Sequence, residues 1–202
     1  MELQVVAHDT NGDPWRTFNG GLNYKLNLTV PRDGLRTLTT SGGGSTADAG
    51  WLYLERSRRS HSNLLTELQV LGGNTSTELP LTYNGLGSAQ KYCFGVSWKT
   101  TGATPTLHVS NPNARPVQYR SSILDSDGML WGTPHVSTIP AMGCETERVT
   151  DVDALQPGQD FQWLVESLEG SKFGLSGFLT YKDDFSNRET FLSAPFRFRT
   201  KF

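Results

Sequence analysis

A chain of 202 residues, 10% of them aromatic, is long enough to bury a core and too aromatic to stay disordered. A net charge of −2 and an isoelectric point of about 6.1 exclude the basic footprint with which proteins hold nucleic acid regardless of sequence, so no nucleic-acid partner is expected. No apolar run reaches the length of a membrane span, and Met1–Val6 lacks the basic start and apolar stretch of a signal peptide, so the chain is expected to be soluble with no export signal.

Asn-Gly and Asp-Gly pairs punctuate the chain at Asn11-Gly12, Asn19-Gly20, Asp33-Gly34, Asn84-Gly85 and Asp127-Gly128. Tight hairpin turns need positive φ, which Gly adopts freely and Asn or Asp tolerate, so each pair marks a reversal between strands. Leu22, Tyr24, Leu26, Leu28 and Val30 alternate with polar residues and predict a half-buried strand ending at Pro31. A short strand over Leu35–Thr40 precedes the Gly-rich stretch Ser41–Gly50, which reads as an exposed loop: it lacks the Gly-Lys-Ser/Thr ending of a phosphate-binding loop. Trp51–Leu54 reads as a strand and runs into the basic cluster Arg56, Arg58 and Arg59.

Residues Asn63–Leu71 are ambiguous: Leu64, Leu65, Leu68 and Leu71 keep helical spacing before the Gly72-Gly73 stop, yet Leu68–Leu71 also suits a strand. Glu166–Glu169 is the other place for a short helix. Strands are expected over Leu79–Tyr83, Lys91–Lys99, Thr104–Ser110, Pro116–Leu124, Met129–Trp131, Glu145–Val152, Phe161–Glu166, Phe173–Tyr181 and Thr190–Arg199, separated by turn sequences such as Asn111-Pro112-Asn113. The expected fold is all-β: an antiparallel sandwich of jelly-roll-like type with at most a short helix. It forms one domain over residues 1–202, or two small sandwiches divided near Gly102. In the second half, the strand–Asn-Pro–strand pattern of His108–Tyr119, the Leu155-Gln156-Pro157-Gly158 turn leading to Trp163, and Leu179–Asp184 resemble immunoglobulin-like sandwich modules. The Cys…Trp…Cys spacing of true immunoglobulin domains is absent.

Chemical signatures are sparse. Asp9, Asn11 and Asp13 place oxygen side chains at alternate positions around Gly12, a start towards a calcium loop, and Asp125–Gly128 is a shorter version. The bland alternative is turn chemistry alone. His8, His61, His108 and His135 are scattered; His8 and His135 read as turn-edge residues and His108 as an ordinary strand residue. No Gly-x-Ser-x-Gly elbow is present. Glu145, Glu147, Asp151, Asp153, Asp183 and Asp184 offer carboxylate pairs of the glycosidase kind, but sequence does not show which of them face each other. Cys93 sits in an apolar strand and Cys144 in a loop-like stretch; whether they join is open.

The sharpest surface pattern is the C-terminus, where Phe196, Phe198 and Phe202 alternate with Arg197 and Arg199. As a strand it presents aromatic anchors on one face and charges on the other, suited to docking on a neighbour. The leading expectation is therefore a non-enzymatic structural or interaction protein, a building block of a virion-like or extracellular assembly. It would pair with copies of itself or with other proteins through loops, the Arg56, Arg58 and Arg59 cluster and the C-terminal strand. The alternatives are a lectin-like carbohydrate-binding module using Trp15 and Trp131, assisted by calcium, and a glycoside hydrolase.

Overall fold

The computed structural model describes residues 2–16, 23–31, 38, 50–56, 66–72, 75–81, 90–98, 103–151, 155, 157–170, 172–183, 189–193 and 196–197. Among them the regular structure is antiparallel β-strand, with one 3₁₀ turn at Val149–Asp151 and no α-helix. β1 (Glu2–Asp9), β2 (Lys25–Thr29) and β3 (Gly50–Arg56) form a sheet ordered β2-β1-β3, and β4 (Thr66–Gly72) and β5 (Thr75–Leu81) form a ribbon. The remaining strands make two larger sheets. One contains β6 (Lys91–Ser97), β8 (Val117–Leu124), β9 (Leu130–Ile139), β11 (Asp160–Ser167) and β14 (Phe196–Arg197) in the order β14-β6-β11-β8-β9. The other contains β7 (Ala103–Ser110), β10 (Cys144–Arg148), β12 (Ser176–Asp183) and β13 (Glu189–Ser193) in the order β10-β7-β12-β13.

Period-two burial explains why these two sheets pack together. Phe161, Trp163 and Val165 of β11 and Val117 and Tyr119 of β8 are buried from one side; Leu107 and Val109 of β7 and Leu179 of β12 are buried from the other. All belong to one apolar cluster, so the fold is sandwich-like, as the alternation predicts.

Two of the Asx-Gly signals fall on described residues, and both build the same turn. In Asp9–Asp13, Gly12 N–H donates to Asp9 O, and Asp9 Oδ1 accepts from the backbone N–H groups of Asn11 and Asp13, each at 2.9 Å. In Asp125–Met129, Gly128 N–H donates to Asp125 O, and Asp125 Oδ1 accepts from Asp127 N–H at 3.0 Å and Met129 N–H at 2.8 Å. The glycine carries positive φ in both, +87° and +79°. The second joins β8 to β9, as expected. The other three pairs, the strand Leu35–Thr40 apart from Leu38, and the stretch Ser41–Ala49 lie outside the described residues.

The ambiguity at Asn63–Leu71 resolves, over its described part, as a strand: Leu68 and Leu71 lie in β4, paired across to β5, and residues 63–65 lie outside the described residues. Two expectations are corrected. Glu166 lies within β11 and Glu169 follows in a turn, so no helix forms there. His8 lies inside β1, and His135 inside β9, which runs eight residues beyond Trp131. Pro134 and Gly132 hide that strand in the sequence, but β9 is an edge strand, where a proline's missing N–H is tolerated.

The crossovers between the two sheets meet at one buried side chain. Asn111, 0% exposed, directly follows β7; its Nδ2 donates to Arg115 O at 2.8 Å, Ile139 O at 3.1 Å and Pro140 O at 2.8 Å. Its Oδ1 accepts from Asn113 N–H at 3.0 Å and Asn113 Nδ2 at 2.7 Å. Asn113 Nδ2 also donates to Gly174 O at 2.9 Å, on the β11–β12 crossover. The β1 turn docks beside this knot: Cys144 N–H donates to Thr10 O, and Trp51 Nε1 donates to Met142 O at 2.7 Å. A Cβ at Gly12 would stand 1.9 Å from Ala141 O, so only glycine lets the turn come this close.

Replacing Asn111 with Ala is expected to destabilise the fold by about 2 to 4 kcal/mol in denaturant unfolding, because it strands several carbonyls at once. Gly12→Ala is expected to leave the sandwich folded while exposing the β1–β3 amides to hydrogen exchange.

Candidate functional site

The densest group of chemically able side chains lies on the inner face at the open side of the sandwich. Glu145 and Glu147 are two apart on β10, so they share a face. They stand opposite Val109 and Leu107 of β7, both buried, and that face is therefore the inner one. From the opposing sheet, β8 contributes Tyr119 and Ser121, and β9 contributes His135, which pairs across from Ser121. Tyr92 of β6 and Trp163 of β11 complete the inner wall.

His135 Nε2 lies 3.4 Å from Glu145 Oε1 and 3.5 Å from Glu147 Oε1. The three side chains run from surface to interior: His135 is 49% exposed, Glu145 30% and Glu147 11%. Trp163 Nε1 donates to Ser121 Oγ at 2.7 Å. Both Glu147 oxygens and the hydroxyls of Tyr92 and Tyr119 are buried without a hydrogen bond of ordinary geometry. Tyr92 reaches across to the other sheet, where a Cβ at Gly177 would come within 2.5 Å of its hydroxyl.

Burial pushes the Glu147 carboxyl above the usual carboxylate range, and the Glu145 charge adds to it; Ser121, His135 and Trp163 pull partly the other way. Burial also raises the Tyr92 and Tyr119 hydroxyls, and the charge of Glu147 raises both further. The site therefore favours cations and neutral hydrogen-bond donors.

A second group lies on the outer face of the four-stranded sheet. His108 stacks on Phe178 with ring centres 4.6 Å apart and planes 8° apart. Its Nε2 is 2.9 Å from Thr180 Oγ1, and burial lowers its pKa to about 4.

The residues singled out in the sequence are dispersed. Asp9, Asn11 and Asp13 form the β1 turn, with one Asp9 oxygen committed to backbone N–H groups. Among the described residues no group of three His, Cys, Asp or Glu is arranged to hold a metal. Trp15 lies against Gly50, where a Cβ would meet its ring at 2.6 Å, and Trp131 packs on the apolar cluster. Arg56 ends β3, while Arg58 and Arg59 lie outside the described residues. Phe196 and Arg197 form β14, paired with Cys93 and Tyr92 at the edge of β6; Phe198, Arg199 and Phe202 lie outside the described residues. Cys93 and Cys144 are both free thiols.

Of the candidate carboxylates, the fold draws Glu145 and Glu147 together at His135. The Glu-x-Glu alternation was visible in the sequence, but the tyrosines and His135 that face it were not, since they arrive from strands of the other sheet.

No family model matches the chain, and no curated protein matches it in sequence. The structure is similar to the crystal structure of Thermotoga maritima 1070, at 16% identity and a TM-score of 0.43, over 54% of this chain and 93% of that one. It is also similar to the Anabaena sensory rhodopsin transducer, at 18% identity and a TM-score of 0.36, over 46% of this chain and 98% of that one. Neither likeness bears on function.

Two titrations check these environments. His108 is expected to titrate at about 4 in a histidine NMR series. Glu147→Gln is expected to stabilise the protein at neutral pH. The folded carboxyl is raised above 4.5, so its ionisation costs stability as pH rises through the folded value. The gain over wild type should vanish as pH falls to the ordinary carboxylate range, as read by denaturant melts across pH.

Proposed function

We propose that this chain is a non-enzymatic interaction protein, a building block of a larger assembly of the viral or phage-particle kind, joined to copies or partners through sheet edges and its C-terminal strand. The observation that carries this reading is the pairing of Phe196 and Arg197 with Cys93 and Tyr92 on the edge of β6. Among the described residues β14 pairs with two of the seven residues of β6. An edge that takes up the C-terminal segment in this way can also receive a strand from a neighbour, which adds main-chain hydrogen bonds and side-chain anchors.

The other side of the sandwich is less suited to that use. β10 turns Glu145 and Glu147 inward, and β9 carries Pro134. Inward charges and proline are devices that discourage edge-to-edge pairing. The contrast directs association to the β6 edge, with Phe196, Phe198 and Phe202 as anchors and Arg197 and Arg199 setting register.

Size-exclusion chromatography with light scattering over a wide concentration range tests the reading. A defined species larger than the 22.3 kDa chain is expected. Phe196→Arg and Phe198→Arg should each weaken association by about tenfold or more while circular dichroism keeps its β signature. A monomer at every concentration would remove self-assembly as the function.

A further inference from the structure

The inner-face cluster carries an inference independent of assembly. We propose that Glu147, Glu145, Tyr92, Tyr119 and His135 form a binding site for a small primary ammonium ion of the methylammonium type, admitted along the β9–β10 side of the sandwich.

The first ground is a mismatch of donors and acceptors. An ionised carboxylate accepts at two oxygens and donates nothing. Both Glu147 oxygens lack a hydrogen bond of ordinary geometry, as do the Tyr92 and Tyr119 hydroxyls, on residues 2% and 0% exposed. The nearby donors fall short of this set of acceptors: Trp163 Nε1 is bonded to Ser121 Oγ, the Ser121 hydroxyl keeps one proton to offer, and His135 Nε2 stands at 3.4 and 3.5 Å from Glu145 and Glu147. A primary ammonium brings three N–H donors on a compact head to this acceptor-rich group.

The second ground is charge. Among the described residues His135 is the cationic side chain within ion-pair reach of Glu145 and Glu147; no lysine or arginine reaches either. A largely buried carboxylate whose ion-pair partner is a half-exposed histidine at 3.5 Å remains costly, and a water molecule, being neutral, supplies hydrogen bonds without relieving the charge. A bound monocation does both. The walls suit it as well: Tyr92, Tyr119 and Trp163 are aromatic, and Tyr119 and His135 lie edge to face with ring centres 6.2 Å apart. A hard divalent ion fits poorly, since it asks for six or more oxygens, and the described residues hold no metal-type cluster. The exposure gradient from His135 through Glu145 to Glu147 marks the way in, with Glu145 drawing the cation and Glu147 holding it.

The test is an amide NMR titration of the full chain near neutral pH with methylammonium chloride, against potassium chloride, tetramethylammonium, magnesium and zinc. The expected result is saturable shifts in β8, β9 and β10 with Kd on the order of 10 mM, the range open to so small a ligand. Glu147→Gln should weaken binding at least about tenfold and Glu145→Gln by less, both remaining folded. Shifts that potassium reproduces, an undiminished response in Glu147→Gln, equal binding of tetramethylammonium, or a response to zinc or magnesium without one to methylammonium would each overturn the proposal.

Discussion

Asn111 holds this sandwich's crossovers in register. Two stacked sheets are joined by chain segments that must leave one layer, turn and enter the other, and those segments expose backbone groups that neither ladder pairs. Here β7–β8 and β9–β10 cross at the same end, and one buried amide bonds to carbonyls on both. Through Asn113 the same knot takes in the β11–β12 crossover. The apolar core supplies adhesion without direction; the amide decides which crossovers meet. The β1–β3 sheet depends on it in turn, because Thr10 and Trp51 bond to the Pro140–Cys144 loop that Asn111 holds. Met142, whose φ of +56° is unusual for a residue with a side chain, keeps that conformation because its N–H bonds Asn113 O and its carbonyl accepts Trp51.

That arrangement explains why an inward carboxylate pair sits where it does. The Pro140–Gly143 turn carries the chain from the edge of one sheet to the edge of the other, so β9 and β10 face each other across the open side. Inner-face positions there are neither dry nor fully wet. Glu145 and His135 retain much of their solvent contact, while Glu147, two residues further along β10, keeps little. A charge in such a place opposes stray strand pairing and costs stability, and both effects follow from the same burial.

Much of the fold was legible because its signals are local. The Asp-x-Asx-Gly turns encode their own geometry: the aspartate bonds backbone two and four residues ahead, and glycine supplies the positive φ. Strand alternation gave the layers. What failed was non-local. Leu68 and Leu71 suit a helix by spacing as well as a strand, and the partner strand decides between them. Asn111 next to Pro112 reads as an exposed turn; its burial depends on residues about thirty positions away. His135 after Pro134 reads as a turn because sequence does not reveal that β9 is an edge. Glu145 and Glu147 could be listed among many acids, but Tyr92, Tyr119 and His135 meet them only through tertiary packing.

His108 and Glu147 act on stability with opposite sign. His108 stays neutral in the fold until about pH 4, so as pH falls below 6.5 the unfolded chain takes up its proton first and stability is lost. Glu147 is raised above 4.5, so between that value and its folded one the native state holds the proton the unfolded chain releases, and stability is lost as pH rises. Across mildly acidic pH the slopes oppose each other. His108 serves the outer face of β7 and Glu147 the inner face of the neighbouring β10, so one small sheet carries both terms. On acidification the Glu147 contribution therefore offsets part of the loss that His108 alone would bring, and it does so without an ion pair between them.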